Sequence, residues 1–358
     1  MFTLRLPTPS GAPEVFDVHR VQPIELTAFS RFVSGRTTSF RVRIRGRAHT
    51  AAAAHADVRW FDLSVRYDQG LRHFALVPGG VLPPDFVLRG GTRVLMDRNV
   101  VSDLRQMPAV DVGAPHQLRW LDVDGFHVNP ILGVVEGSKR RPQTFGEFER
   151  EYTRAERLVA RRLPRAKVVQ FSGSKRRMMF DMHLEFAPRA AREGQFLRGI
   201  AGRLAEQVPD RDLRTTEQFV LQAAAQAGLQ PMTAVVLTAL AKLHEGRHGS
   251  PAAKLLKLRE LRDAGGDWQG CAYNAVADVR QMELLSNGIA MPDFVAGLTG
   301  DLGLAQVWCG LRPTGVKLCD GRVGFYFRLD PALFPRLDGT TEDLIERINA
   351  GGTAAAGG

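Results

Sequence analysis

Seven prolines and glycines crowd into the fourteen residues from Pro78 to Gly91, and the chain has a different texture on either side of them. Proline fixes φ and removes an amide donor, while glycine admits conformations closed to other residues, so such a cluster punctuates a fold. It reads as a domain boundary. At about 100–200 residues per domain, a chain of 358 residues has room for two or three.

Residues 1–90 read as a β-rich N-terminal module. Ser39–Arg45 alternates, with Phe40, Val42 and Ile44 facing one way and Arg41, Arg43 and Arg45 the other. A half-buried strand with a solvated basic face accounts for this better than a nucleic-acid platform. Thr3–Leu6, Val58–Val65 and Phe74–Val77 supply further short strands.

From residue 91 the pattern becomes α/β. Arg93–Met96 reads as a buried strand ending at Asp97, with a helix through Arg105 after it. Asn129 and Pro130 open a helical segment through Glu136, and Thr144-x-x-Glu147 is a capping box that starts a long charged helix halted by Pro164. Lys167–Phe171 is the next strand. Residues 190–264 are helical in pattern: Thr216–Ala227, Met232–His244 and Ala252–Ala264 each end near glycine. A helix from Cys271 to Leu285 follows, then an apolar run, Phe294–Leu298, that stops at Thr299-Gly300-Asp301. Arg322–Leu329 is a last strand, Thr341–Asn349 a capped helix, and Gly351–Gly358 a small-residue tail expected to be disordered.

Composition removes several classes. With 44% hydrophobic and 24% charged residues the chain is ordinary for a globular protein. No apolar run approaches the roughly 18 residues of a membrane-spanning helix, and the first residues lack the layout of a signal peptide. Three cysteines without a Cys-x-x-Cys pair argue against a disulfide framework or structural zinc, and the expected location is the cytoplasm. Neither a Walker loop nor a dinucleotide-binding glycine motif occurs.

Four acids mark structural turning points. Asp97 and Asp301 each follow an apolar strand, where an α/β sheet binds its ligands; each reads equally as the cap of the next helix. Glu136 ends an apolar helix, which alone says only that the helix meets water there. Asp278 shares or borders the apolar face of its helix with Met282 and Leu285, and a carboxylate there is costly unless it is paired or bound to metal.

In the order strand–Asp, helix–Glu, helix–Asp, strand–Asp, the chain resembles the PIN-domain nuclease family. The matching stretches are Val94-Leu-Met-Asp97-Arg-Asn99, Asn129-Pro-Ile-Leu-Gly-Val-Val-Glu136, Asn274-Ala-Val-Ala-Asp278 and Leu298-Thr-Gly-Asp301. Arg98 departs from the small residue usual at its place. The resemblance implies that Asp97, Glu136, Asp278 and Asp301 are catalytic residues converging on Mg²⁺ or Mn²⁺, supported by Asn99 and Thr299. Hard divalent cations take oxygen ligands, and acids clustered without one would raise each other's pKa values.

The implied fold is α/β: a PIN-like parallel-sheet domain, residues 91–171 and 266–330, with a large helical insertion at 172–265. The small β-rich domain 1–90 precedes it and a C-terminal helix and tail, 331–358, follow. The implied activity is metal-dependent hydrolysis of phosphodiester bonds, RNA before DNA. The expected partners are nucleic acid and a regulatory protein, and no membrane. A catalytically inactive PIN-like scaffold that binds nucleic acid or protein is the alternative.

The charge is unevenly placed. Of the net +10, residues 139–177 carry thirteen Lys or Arg against four acids. Lys139, Arg140 and Arg141 and, further on, Lys175, Arg176 and Arg177 are loop-borne clusters expected to contact phosphate. The competing account is a helix face solvated through Glu–Arg pairs, with Glu147 and Glu151 facing Arg154. A lesser alternative function comes from His244-Glu245-Gly-Arg-His248, which matches the zinc-peptidase helix pattern but is broken by Gly246 and ended by Pro251.

Overall fold

The alternating arginine strand sits in an antiparallel sheet that shows its basic face to solvent. The computed structural model describes residues 2–6, 14–49, 57–67, 70–87, 93–107, 118–124, 126–137, 141–245, 250–289, 295–319 and 322–354. Strands β1 (Phe2–Leu6) and β2 (Glu14–Gln22), helix α1 (Leu26–Val33), and strands β3 (Ser39–His49) and β4 (Arg59–Arg66) open the chain. The strands pair in the order β1-β2-β3-β4. Val42 and Ile44 are fully buried beneath α1, whereas Arg41, Arg43 and Arg45 are exposed, as expected of a two-faced strand.

The next hairpin, β5 (Phe74–Val77) and β6 (Gly80–Leu82), corrects the expected boundary. It belongs to the second sheet, not to the N-terminal module: Ala75 of β5 pairs with Leu298, far along the chain. Every residue of β5 is buried, which suits an interior strand covered on both faces rather than a half-exposed one. The first glycines of the Pro/Gly cluster form the turn of this hairpin; Gly79 has φ 80°, in the left-handed region glycine tolerates.

The chain then runs through β7 (Arg93–Met96), α2 (Arg98–Gln106), β8 (His127–Asn129), α3 (Ile131–Glu136), α4 (Phe145–Arg162) and β9 (Lys167–Val168). A helical block follows: α5 (Gly173–Glu185), α6 (Ala187–Leu204), α7 (Leu213–Gln226), α8 (Ala234–Glu245), α9 (Pro251–Leu256), α10 (Leu258–Asp263) and α11 (Trp268–Ile289). The expected single helix over 252–264 is broken at Lys257, whose φ of 51° leaves the right-handed helix. Strand β10 (Val295–Thr299), α12 (Leu302–Leu311), the hairpin β11 (Pro313–Cys319) and β12 (Arg322–Phe327), and α13 (Thr341–Ala354) complete the described chain. The last helix runs past Gly351, where a disordered tail was expected; residues 355–358 lie outside the described residues.

The architecture is mixed α/β around a six-stranded sheet of order β6-β5-β10-β7-β8-β9. From β10 to β9 the strands are parallel, and the β5–β6 hairpin lies antiparallel along one side. The first parallel strand, β7, leads outward to β8 and β9; the chain returns only after the helical block and lays β10 on the other side of β7. The order therefore reverses between β7 and β10, and in such sheets the crevice beyond the carboxyl ends of the two strands at the reversal is the ligand-binding place. Among the described residues no helix is long and apolar enough to cross a membrane.

Candidate carboxylate site

Asp97 and Asp301 stand at the two sides of that crevice. Asp97 follows β7, and its amide donates to Leu298 O of β10 at 2.9 Å. Its side chain caps α2 by accepting from the Arg98 amide, and Asp301 caps α12 by accepting from the Leu304 amide at 2.9 Å. The caps foreseen in the sequence are real, and they orient the carboxylates at the mouth of the crevice.

Thr299 joins the two. Its Oγ1 donates to Asp97 Oδ2 at 2.7 Å and accepts from the Asp301 amide at 2.9 Å. Asn99 Nδ2 approaches Asp97 Oδ2 at 3.4 Å, a weaker support. Glu136 arrives because α3 packs hard against the start of α2. A Cβ on Gly133 would lie 2.8 Å from Arg98 Cα and N, so only glycine permits this approach. Asp278 comes from α11, which packs just as closely on β10: a Cβ on Gly297 would lie 2.4 Å from Leu285 Cδ1.

Two residues not foreseen in the sequence complete the site. Gln281, one turn after Asp278 on α11, sets its Nε2 3.1 Å from Asp97 Oδ1 and 3.4 Å from Glu136 Oε2. The i, i+3 spacing from Asp278 was the available signal. Lys257 places Nζ 3.0 Å from Asp278 Oδ2 from the break between α9 and α10, a position that gave no sign in a run patterned as one helix. Arg98 donates to Gly137 O and lies 3.9 Å from Glu136 Oε1.

The acids are held under electrostatic tension. Asp97 is only 2% exposed; burial raises its pKa, hydrogen bonds from Thr299, Gln281 and the Arg98 amide oppose that, and the charge of Asp301 adds to it. Burial, then the charges of Asp97 and Asp278, push Glu136 up to about 8 against the pull of Arg98 and Lys257. Asp278 rises to about 6, again chiefly through burial, with Lys257 opposing and Asp301 and Asp97 adding. Glu136 also lines a cavity of about 340 Å³ between α3, α6 and α11, which is walled mainly by apolar side chains such as Leu132, Val135 and Trp268.

No family model, curated protein or solved structure matches the chain.

Asp97, Glu136 and Asp278 thus each feel the charge of another acid, but the four do not form a closed ligand shell: among the described residues no three His, Cys, Asp or Glu side chains form a group that could hold a metal ion. The Gln281 amide lies between Asp97 and Glu136, and the Lys257 ammonium occupies Asp278. The donor chemistry nonetheless fits a hard cation. All four side chains offer oxygen, and the buried Asp97 is bonded by an amide, a hydroxyl and a backbone N–H, with no cationic side chain among its hydrogen-bond partners.

The other expected sites fare differently. Lys139, Arg140 and His248 lie outside the described residues. Arg141 is paired with Glu147 at 2.7 Å. Ser174–Arg177 is not a loop but the start of α5. Lys175 is exposed there, Arg176 is tied to Glu156 at 3.0 Å over the Tyr152 ring, and Arg177 is tied to Asp181. Glu147 bonds Arg141, and Glu151 accepts from Gln143. His244 is buried, with Nε2 3.1 Å from Glu217, itself bound by Arg347, so it is part of an ion-pair cluster joining α7, α8 and α13.

Proposed function

We propose that this chain is a metal-dependent nuclease that hydrolyses phosphodiester bonds, RNA before DNA on the strength of its resemblance to PIN-domain nucleases. One observation carries the reading. Asp97 and the Thr299–Asp301 pair end adjacent parallel strands at the reversal of strand order, and Glu136 and Asp278 come in from α3 and α11, each with its pKa raised by burial and by the charge of Asp97.

Asp97, Glu136, Asp278 and Asp301 would hold Mg²⁺ or Mn²⁺, which when bound supplies an activated water and neutralises charge on the leaving oxygen. The remaining work falls to the chain itself. Thr299 fixes the rotamer of Asp97 and ties it to the Asp301 backbone, with Asn99 in support. Arg98, half-exposed beside Glu136, is placed to meet a phosphate. Gln281 bridges Asp97 and Glu136 and Lys257 pairs with Asp278, and both would have to yield those oxygens to an ion.

The test is Mn²⁺-dependent cleavage of single-stranded RNA by the wild type, Asp97→Asn and Asp278→Asn. Each substitution is expected to lower the rate by about 100-fold or more. Unchanged activity in both variants would sink the reading. The inactive scaffold is favoured by one specific feature, the Lys257 ammonium on Asp278. No cleavage under any metal, with salt-sensitive binding retained, would decide for it.

A further inference from the structure

Of the four acids of helix α4, Glu147 is bound by Arg141, Glu151 by Gln143 and Glu156 by Arg176, while Glu149 lies beside the arginine row. Arg150, Arg154, Arg157 and Arg161 recur at steps of four, three and four residues, which makes one stripe along the helix. All four are exposed, and none has a hydrogen-bond or ion-pair partner among the described residues. Like charges at these spacings repel, so the row costs the folded protein stability unless an anion lies against it.

The stripe lines a surface groove between α4 and α2, into which Arg105 also projects. The groove continues inward past Arg105 and Arg154 to Ser102, Gly133 and Arg98. None of Asp97, Glu136, Asp278 and Asp301 lines the groove, but Arg98 at its inner end is 3.9 Å from Glu136. Six arginines line the two parts against Glu149 and Glu151 alone. From Arg150 to Arg161 the row is about 16 Å long at the helical rise per residue.

We propose that this groove is a track for the phosphodiester backbone of a single nucleic-acid strand, leading it to Arg98 at the edge of the carboxylates. The track's end point rests on the nuclease reading; the binding surface rests on charge complementarity alone. One row of guanidinium groups on one helix matches one backbone, where a duplex presents two. Lys and Arg contacts to phosphate give affinity without base recognition, so binding is sequence-tolerant and strongly salt-dependent.

The test is fluorescence anisotropy with a labelled oligouridylate, in EDTA so that no cleavage intervenes, across a series of salt concentrations. R154Q/R157Q/R161Q is expected to bind about tenfold more weakly and to lower the slope of log K against log salt by about 2. R31Q/R36Q/R211Q removes the same charge from exposed positions elsewhere and is expected to bind as the wild type does. The proposal is overturned if the groove variant binds like the wild type, if both triple variants lose affinity equally, if duplex RNA binds more tightly, or if the wild type does not bind. Binding as expected without cleavage in Mn²⁺ would sustain the track and count against the nuclease reading.

Discussion

Thr299 Oγ1 donates to Asp97 Oδ2 across 202 positions of sequence, and the same oxygen accepts the Asp301 amide. One hydroxyl thereby fixes two acids on adjacent strands, each of which also caps a helix. Capping and function are compatible here because a cap uses one carboxylate oxygen and holds the other in a defined direction.

Thr299→Val keeps the shape of the side chain and deletes the hydroxyl. It leaves Asp97 Oδ2 and the Asp301 amide short of a partner in a site that is already desolvated, at an expected cost of about 1–3 kcal/mol. Urea unfolding reads this as a lower midpoint at unchanged slope. Thr299→Ser keeps the hydroxyl and is expected to lose less; a Thr299→Val variant as stable as the wild type would mean that the bond contributes nothing.

The raised pKa of Glu136, about 8, sets a direction for pH dependence. Between the ordinary carboxyl value of 4.5 and about 8, the folded chain holds a proton the unfolded chain has released. Stability of the metal-free protein therefore falls as pH rises through that window and levels off above it. Asp278, raised to about 6, acts in the same sense over the lower part. Glu136→Gln should flatten the slope, by an amount on the order of 3 kcal/mol over the window. Chemical unfolding at pH 5, 6.5 and 8 checks it, and parallel profiles for variant and wild type would refute it.

Sequence patterning located strands and helices where polarity alternates or where a cap and a glycine frame a run, as in β3 and α4. It misjudged β5, because an all-apolar run does not say which sheet it enters, and pairing with a strand more than two hundred residues away leaves no local mark. Asp97, Glu136 and Asp301 could be picked out because each sits at an element boundary, and Asp278 because it borders the apolar face of its helix. Lys257 and Gln281 could not be assigned, since their roles depend on how the helical block folds back over the sheet. The arginine stripe was visible as charge but not as a groove; only the partners of Glu147, Glu151 and Glu156 reveal which arginines stay uncompensated.

Gly133 tests whether the site depends on close helix approach. In Gly133→Ala the added methyl meets backbone atoms of Arg98 at 2.8 Å, and backbone cannot swing aside. Helix α3 must shift outward and take Glu136 with it. The expected cost is about 1–3 kcal/mol, and cleavage should fall further than the lost stability explains. Thermal unfolding together with cleavage rates at a temperature where both proteins are folded separates the two effects. Full activity in a destabilised variant would show that the position of Glu136 is not critical.

Lys257 separates an active site from an inert one. It holds a left-handed conformation, φ 51°, at a cost of about 1–2 kcal/mol for a residue with a Cβ, while its ammonium neutralises Asp278. Lys257→Met keeps the backbone cost and removes the cation, leaving a buried carboxylate unpaired, so the metal-free protein should lose stability. Lys257→Gly removes the same cation but relieves the backbone, and should lose less. Without the ammonium, Asp278 is open to a divalent ion, and Mn²⁺ should raise the melting temperature of both variants more than that of the wild type, because a ligand of the folded state stabilises it by mass action. A melting temperature indifferent to Mn²⁺ in all three proteins would mean that the carboxylates do not form a metal site, and the chain would then be read as a scaffold.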